Sequence, residues 1–137
     1  DSMGFDAILD IQFGPDQFDG VRTYTLPASS VLGDSLDVRG EGTSPWVIDD
    51  PYSSPSGATL SVITEHHDQT PGNTSGTSQS GTWGAIGTGT YGSGRFVLWF
   101  DRQMTWNGGA GSDITEVDNE QFVLNSVAYA ATGISQS

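Results

Sequence analysis

TWGAIGTGTYGSGRFVLWFDRQMTWNGGAGSDITEVDNEQFVLNSVAYAA, residues 82–131, decides the fold, because it holds the chain's only unbroken apolar strand and its only well-signed helix. Residues 96–100 are five apolar side chains in a row, three of them aromatic, bounded by the turn Tyr91-Gly92-Ser93-Gly94 and by Asp101. A run that short and rich in β-formers suits a strand covered on both faces, so it is expected in the middle of a sheet. Residues 82–91 are strand-like but carry Gly84, Gly87 and Gly89, which permit bulges or close backbone approach. A hairpin closing over residues 92–94 is the simplest connection.

Start signals converge on a helix from Asp118. Asp118 suits the N-cap, Gln121 the capping box, Val117 and Phe122 the hydrophobic staple, and Glu120 the positive end of the helix dipole. Phe122, Val123, Val127, Ala130 and Ala131 fall largely along one side and Asn119, Glu120, Asn125 and Ser126 along another, an amphipathic pattern. Gly133 is placed to close the helix in a left-handed conformation.

Outward from this region the signals weaken. Residues 1–14 fit either a short helix through Phe5, Ile8 and Leu9 leading to a strand at 11–13, or an edge strand throughout. Residues 21–26 alternate as a half-exposed strand ended by Pro27, residues 35–39 offer a shorter one, and residues 58–65 alternate again. Between them, residues 40–57 carry Pro45, Pro51 and Pro55 and read as an ordered surface loop. Residues 69–81, QTPGNTSGTSQSG, read as a flexible Gly/Ser/Thr loop, whose Asn73-Thr74-Ser75 matches a glycosylation triplet that arises readily by chance there. The expected whole is one α/β, β-rich domain over residues 1–137, a mixed central sheet with the C-terminal amphipathic helix packed on it. An all-β sandwich with one helix is the alternative.

Charge narrows the partners. Seventeen carboxylates, thirteen of them Asp, stand against four Arg and no Lys, for a net charge of -13. Such a surface repels phosphate backbones and anionic leaflets, and no stretch is long and apolar enough for membrane insertion. Self-repulsion of this size calls for screening by salt or bound cations. That fits adaptation to high salt or to calcium-containing extracellular fluid, and equally a secreted Gly/Ser/Thr-rich module lacking Lys. Having no cysteine, the chain has no disulfide, thiolate metal site or cysteine nucleophile.

Four clusters could carry chemistry. Trp46, Asp49, Asp50 and Tyr52 combine aromatic faces with carboxylates, as a sugar platform does, and Trp83 and Trp106 could add to it. Asp101 ends the apolar strand, where it serves either a site or a turn anchored to Arg95 or Arg102. His66 and His67 follow a strand, but neighbours on an extended backbone point to opposite faces and do not readily share one metal. Asn107–Asp113 holds a single Gly-Gly-x-Gly-x-Asp unit without the neighbouring repeats that geometry needs, leaving Asp113, Glu116 and Asp118 as an alternative oxygen set for calcium. No Gly-x-Ser-x-Gly elbow is present for a hydrolytic serine.

The order Tyr91-Gly92-Ser93-Gly94-Arg95, apolar strand, Asp101, polar loop, then Asp118-Asn119 opening a helix with Asn125, Tyr129 and Ala130, resembles the C-terminal portion of glutamine-amidotransferase-like, flavodoxin-like domains. The likeness is weaker over the first thirty residues, and this chain would correspond to the later part of such a domain. Lacking the family's catalytic Cys, it is expected to be non-catalytic. The resemblance implies an extracellular or cell-envelope module for assembly or ligand binding, with a protein partner, self-assembly or polysaccharide as its target. A carbohydrate-binding accessory module of a secreted hydrolase is the alternative.

Overall fold

A computed structural model describes residues 5–13, 17–43, 46–66, 81–107, 111 and 113–133. The described elements are α1 (Phe5–Leu9), β1 (Gln12–Phe13), β2 (Gln17–Thr25), β3 (Asp37–Thr43), β4 (Trp46–Ile48), β5 (Thr59–Glu65), β6 (Thr82–Tyr91), β7 (Gly94–Trp99), a 3-10 turn (Arg102–Thr105) and α2 (Asn119–Thr132). None of the described helices is long and apolar enough to cross a membrane. The β-rich architecture with one C-terminal helix packed on a sheet is thus the one expected.

The strand at the centre, however, is β6. Its one side pairs with β5, and its other side pairs first with β4 at Thr82, Trp83 and Gly84 and then with β7 from Ile86 onward. β1 lies beyond β4, β2 and β3 form a separate two-stranded sheet, and every described ladder is antiparallel. The apolar run expected in the middle is therefore a margin strand, β7, with Phe100 just past its end. Its hydrophobicity has another cause, since both faces are partly covered: Val97 and Trp99 pack on the cluster of Phe122 and Ile86, while Phe96 and Leu98 pack on that of Leu9, Ile11 and Trp46. Two-sided coverage makes a strand apolar whether or not it has two neighbours.

Residues 83–89 of β6 are all buried, and their glycines explain how. A Cβ on Gly84 would lie 2.2 Å from the Trp46 ring, one on Gly87 2.8 Å from the same ring, and one on Gly89 2.5 Å from Phe96. The bare backbone is where the large rings of β4 and β7 rest, so close approach is the use of these positions. Gly92 takes a φ of 58° at the first central position of the two-residue hairpin, as a II′ turn requires.

The stretch 40–57 holds more ladder than its prolines suggest, since β3 runs to Thr43 and β4 follows at Trp46. Of the two readings of the N-terminus, the short helix followed by a strand is the one found.

α2 begins and ends where the signals place it, with Gly133 at φ 73° and its N–H on the Tyr129 carbonyl. Its buried side differs from expectation. Asn119, Phe122, Asn125 and Ser126 are buried, whereas Val127 is 63% and Leu124 57% exposed. Burial of the amides is compensated by bonds to backbone: Asn125 Nδ2 donates to the Leu32 carbonyl at 2.9 Å, and Asn119 bonds three groups described below. The capping box is replaced as well, because Gln121 Nε2 donates to Asn125 Oδ1 at 2.7 Å and Asp118 makes no side-chain bond within its own helix. Val117, the staple residue, is exposed at a left-handed φ of 41°.

Candidate functional site

Tyr52, Ser54 and Ser56 position one wall of an open cavity by holding the end of α1. The last carbonyls of a helix lack partners inside it. Here Ser54 and Ser56 hydroxyls donate to the Ile8 carbonyl, each at 2.5 Å, and the Tyr52 hydroxyl donates to the Leu9 carbonyl. Asp10 then turns the chain away at a left-handed φ of 52°. Burial raises the pKa of the Tyr52 hydroxyl above the usual phenol value, with the Ser54 hydrogen bond opposing and the Asp10 charge adding to the shift.

With α1 fixed, a groove of about 380 Å³ opens between its end and β7, lined by Ile8, Leu9, Tyr91, Phe96 and Leu98 together with the backbone of the hairpin arm. Arg95 at its rim is committed elsewhere, for its Nε donates to the Tyr129 carbonyl at 3.0 Å and its Nη2 to the Ala131 carbonyl at 3.1 Å, where a cation meets the negative end of α2. β7 has no second strand beside it among the described residues. Tyr91 and Gly94 flank the two-residue turn, so they, Gly89 with Phe96, and Gly87 with Leu98 are the hydrogen-bonded pairs. The backbone N–H and C=O groups of Arg95, Val97 and Trp99 therefore face away from β6.

Among the described residues, the candidates singled out from sequence do not assemble. Trp46 is 1% exposed in the core and Trp83 likewise, so neither offers the stacking face that a sugar platform needs. Asp49 and Asp50 are exposed, and Tyr52 serves as the clamp on α1 rather than as part of a platform. Trp106 is 45% exposed, with the Arg102 guanidinium 5.3 Å from its ring centroid. Asp101 anchors a turn: its Oδ1 accepts from the Gln103 N–H at 3.0 Å and caps the 3-10 turn.

Each of the three possible calcium ligands is engaged in holding the fold. Asp113 Oδ1 accepts from the backbone and hydroxyl of Thr115 at 2.8 and 2.5 Å. Glu116 pairs with Arg39 at 3.4 Å, and Asp118 Oδ2 accepts from the Asp37 N–H at 2.8 Å. No group of three or more possible metal-ligating side chains occurs among the described residues. His66 is 1% exposed, continues the β5 ladder by donating its N–H to the Trp83 carbonyl, and packs its ring 6.2 Å from that of Tyr24. His67, like residues 69–80 with the Asn73 triplet, lies outside the described residues.

Sequence reasoning assigned the groove residues to packing alone. One signal pointed further: after residue 100 the sequence reads as a polar loop and a helix, and among the described residues no strand follows β7.

Comparison of the chain with protein-family models, curated proteins and solved structures found no match. The described ladders are antiparallel, whereas a flavodoxin-like unit is built on parallel strands.

Proposed function

We propose that the chain is a non-enzymatic extracellular or cell-envelope module for assembly or ligand binding, and that the groove between α1 and β7 is its binding face. The observation that carries this reading is the open, apolar cavity itself. Recognition sites are concave and mostly apolar, while acid–base chemistry needs an ionisable group within reach of a substrate proton. The oxygens of Asp101, Asp113, Glu116 and Asp118 accept from Gln103, Thr115, Arg39 and Asp37 instead. A charge of -13 supports a setting where dissolved ions screen it.

The test is an NMR titration of the isotope-labelled chain with three probes: short peptides, oligosaccharides and a small apolar dye. Shifts confined to Ile8, Leu9, Tyr91, Phe96 and Leu98, weakened in Phe96→Ala, are expected. Perturbations only at residues remote from the groove would sink the assignment.

A second reading, the carbohydrate-binding module, is favoured by Trp106 alone among the four aromatic candidates, because its ring is exposed beside a cation. Glycan-array binding abolished in Trp106→Ala but kept in Phe96→Ala is the result that would select it.

A further inference from the structure

We infer that the occupant of the groove is an extended, positively charged peptide segment of a partner protein, added as a strand along β7; this rests on the module reading above. Strand addition needs a straight edge with free N–H and C=O groups and pockets for alternate side chains. Among the described residues β7 supplies the first, because no second strand lies beside it and its ladder with β6 runs from Tyr91↔Gly94 to Ile86↔Trp99 without a register shift. The groove beside Phe96 and Leu98 supplies the second.

Two other margins, those of β5 and β3, are blunted. On β5, the register shifts twice between Val62 and Glu65, and Thr59, Ser61 and Glu65 are exposed. Bulges and polar or charged edges of this kind discourage pairing. On β3, the outward groups of Asp37 and Arg39 are taken by Asp118 and Asn119. β7 carries one charge, Arg95, and its guanidinium is drawn onto the end of α2 rather than left to guard the edge.

Charge selects the partner. A second copy would bring another -13 to the contact, whereas a basic segment is attracted to a chain of this net charge. Valine or isoleucine at alternate positions of that segment would enter the groove beside Leu9 and Leu98, and lysine or arginine between them would remain in solvent.

The probe is a short blocked peptide alternating lysine with valine, titrated into the intact chain while amide hydrogen exchange is followed at Val97. Its controls are the same peptide with glutamate for lysine and the same peptide N-methylated along both edges. Binding that slows exchange at Val97 by roughly tenfold or more, with the glutamate peptide at least about tenfold weaker at low salt, is expected. Val97→Pro, which removes one outward donor, should abolish peptide binding, read in that variant from exchange at the Arg95 and Trp99 amides. The N-methylated peptide keeps the test decisive should that variant not fold.

Unchanged Val97 exchange at saturation, or equal binding of the N-methylated peptide, overturns the inference, as does peptide-free dimerisation through β7 in sedimentation. If no peptide binds but the dye or an oligosaccharide still shifts the groove resonances, strand addition falls and the module reading stands. If nothing perturbs the groove, both fall.

Discussion

The side-chain amide of Asn119 bonds both backbone groups of Arg39: Oδ1 accepts from the Arg39 N–H and Nδ2 donates to the Arg39 carbonyl, each at 2.8 Å. One amide thus imitates a residue of a neighbouring strand. Beside it, Asp118 Oδ2 accepts from the Asp37 N–H at 2.8 Å and the Asp118 N–H donates to the Asp37 carbonyl at 3.0 Å. The first two residues of the helix region stand in for a third strand on the small sheet, and Nδ2 of Asn119 reaches the Asp113 carbonyl as well.

Asn119→Ala should therefore destabilise the fold more than an ordinary cap deletion. It leaves part-buried backbone groups of Arg39 without partners, at about 1–3 kcal/mol in a urea titration. A loss below about 0.5 kcal/mol would mean that water replaces the amide at no cost.

Gly84→Ala should cost about 1–3 kcal/mol through overpacking, because the new methyl meets the six-membered ring of the Trp46 indole. Trp46→Phe removes that part of the ring, so the double variant should recover part of the loss. Additive effects in a double-mutant cycle would refute the contact as the cause.

Stability should fall in strong alkali as the Tyr52 hydroxyl ionises. Its folded-state pKa lies above the unfolded value of 10.0, so its contribution is whole below pH 10.0 and is lost as pH rises through the folded value. Tyr52→Phe should be less stable at neutral pH and should lack this part of the alkaline decline. Parallel pH profiles for the two proteins would remove Tyr52 from the account.

Added NaCl should raise the melting temperature, since screening relieves the repulsion behind a net charge of -13. Calcium and magnesium at equal concentration should then act alike, because Asp113, Glu116 and Asp118 have protein partners. Stabilisation by calcium well beyond magnesium would instead establish a specific site.

Signals that are local in sequence proved readable. Asp118 and Gly133 bracket α2, and Gly92 marks the hairpin, because caps and turns are decided by a few adjacent residues. The buried side of α2 was not readable in the same way: Asn119 and Asn125 are buried against backbone 80 and 93 residues away, and periodicity carries no record of such partners. For residues 96–100, hydrophobicity registered two partly covered faces, but faces and edges are independent properties of a strand. The same gap hid the groove, whose walls come from Ile8 and Leu9 and from β7, far apart in sequence. Trp46 was misread for a related reason, since its neighbours Pro45 and Pro51 concealed a three-residue strand in the core.

β6 and β7 are joined by two residues, whereas β6 meets β5 only across residues 66–81 and meets β4 from farther still. Order of assembly follows from that spacing: the hairpin zips early, and the remaining pairings wait for slower searches by more distant chain. Closure entropy grows only logarithmically, so doubling the connection between β5 and β6 would cost about 0.6 kcal/mol. Breaking the hairpin turn, by contrast, would delay the whole sheet.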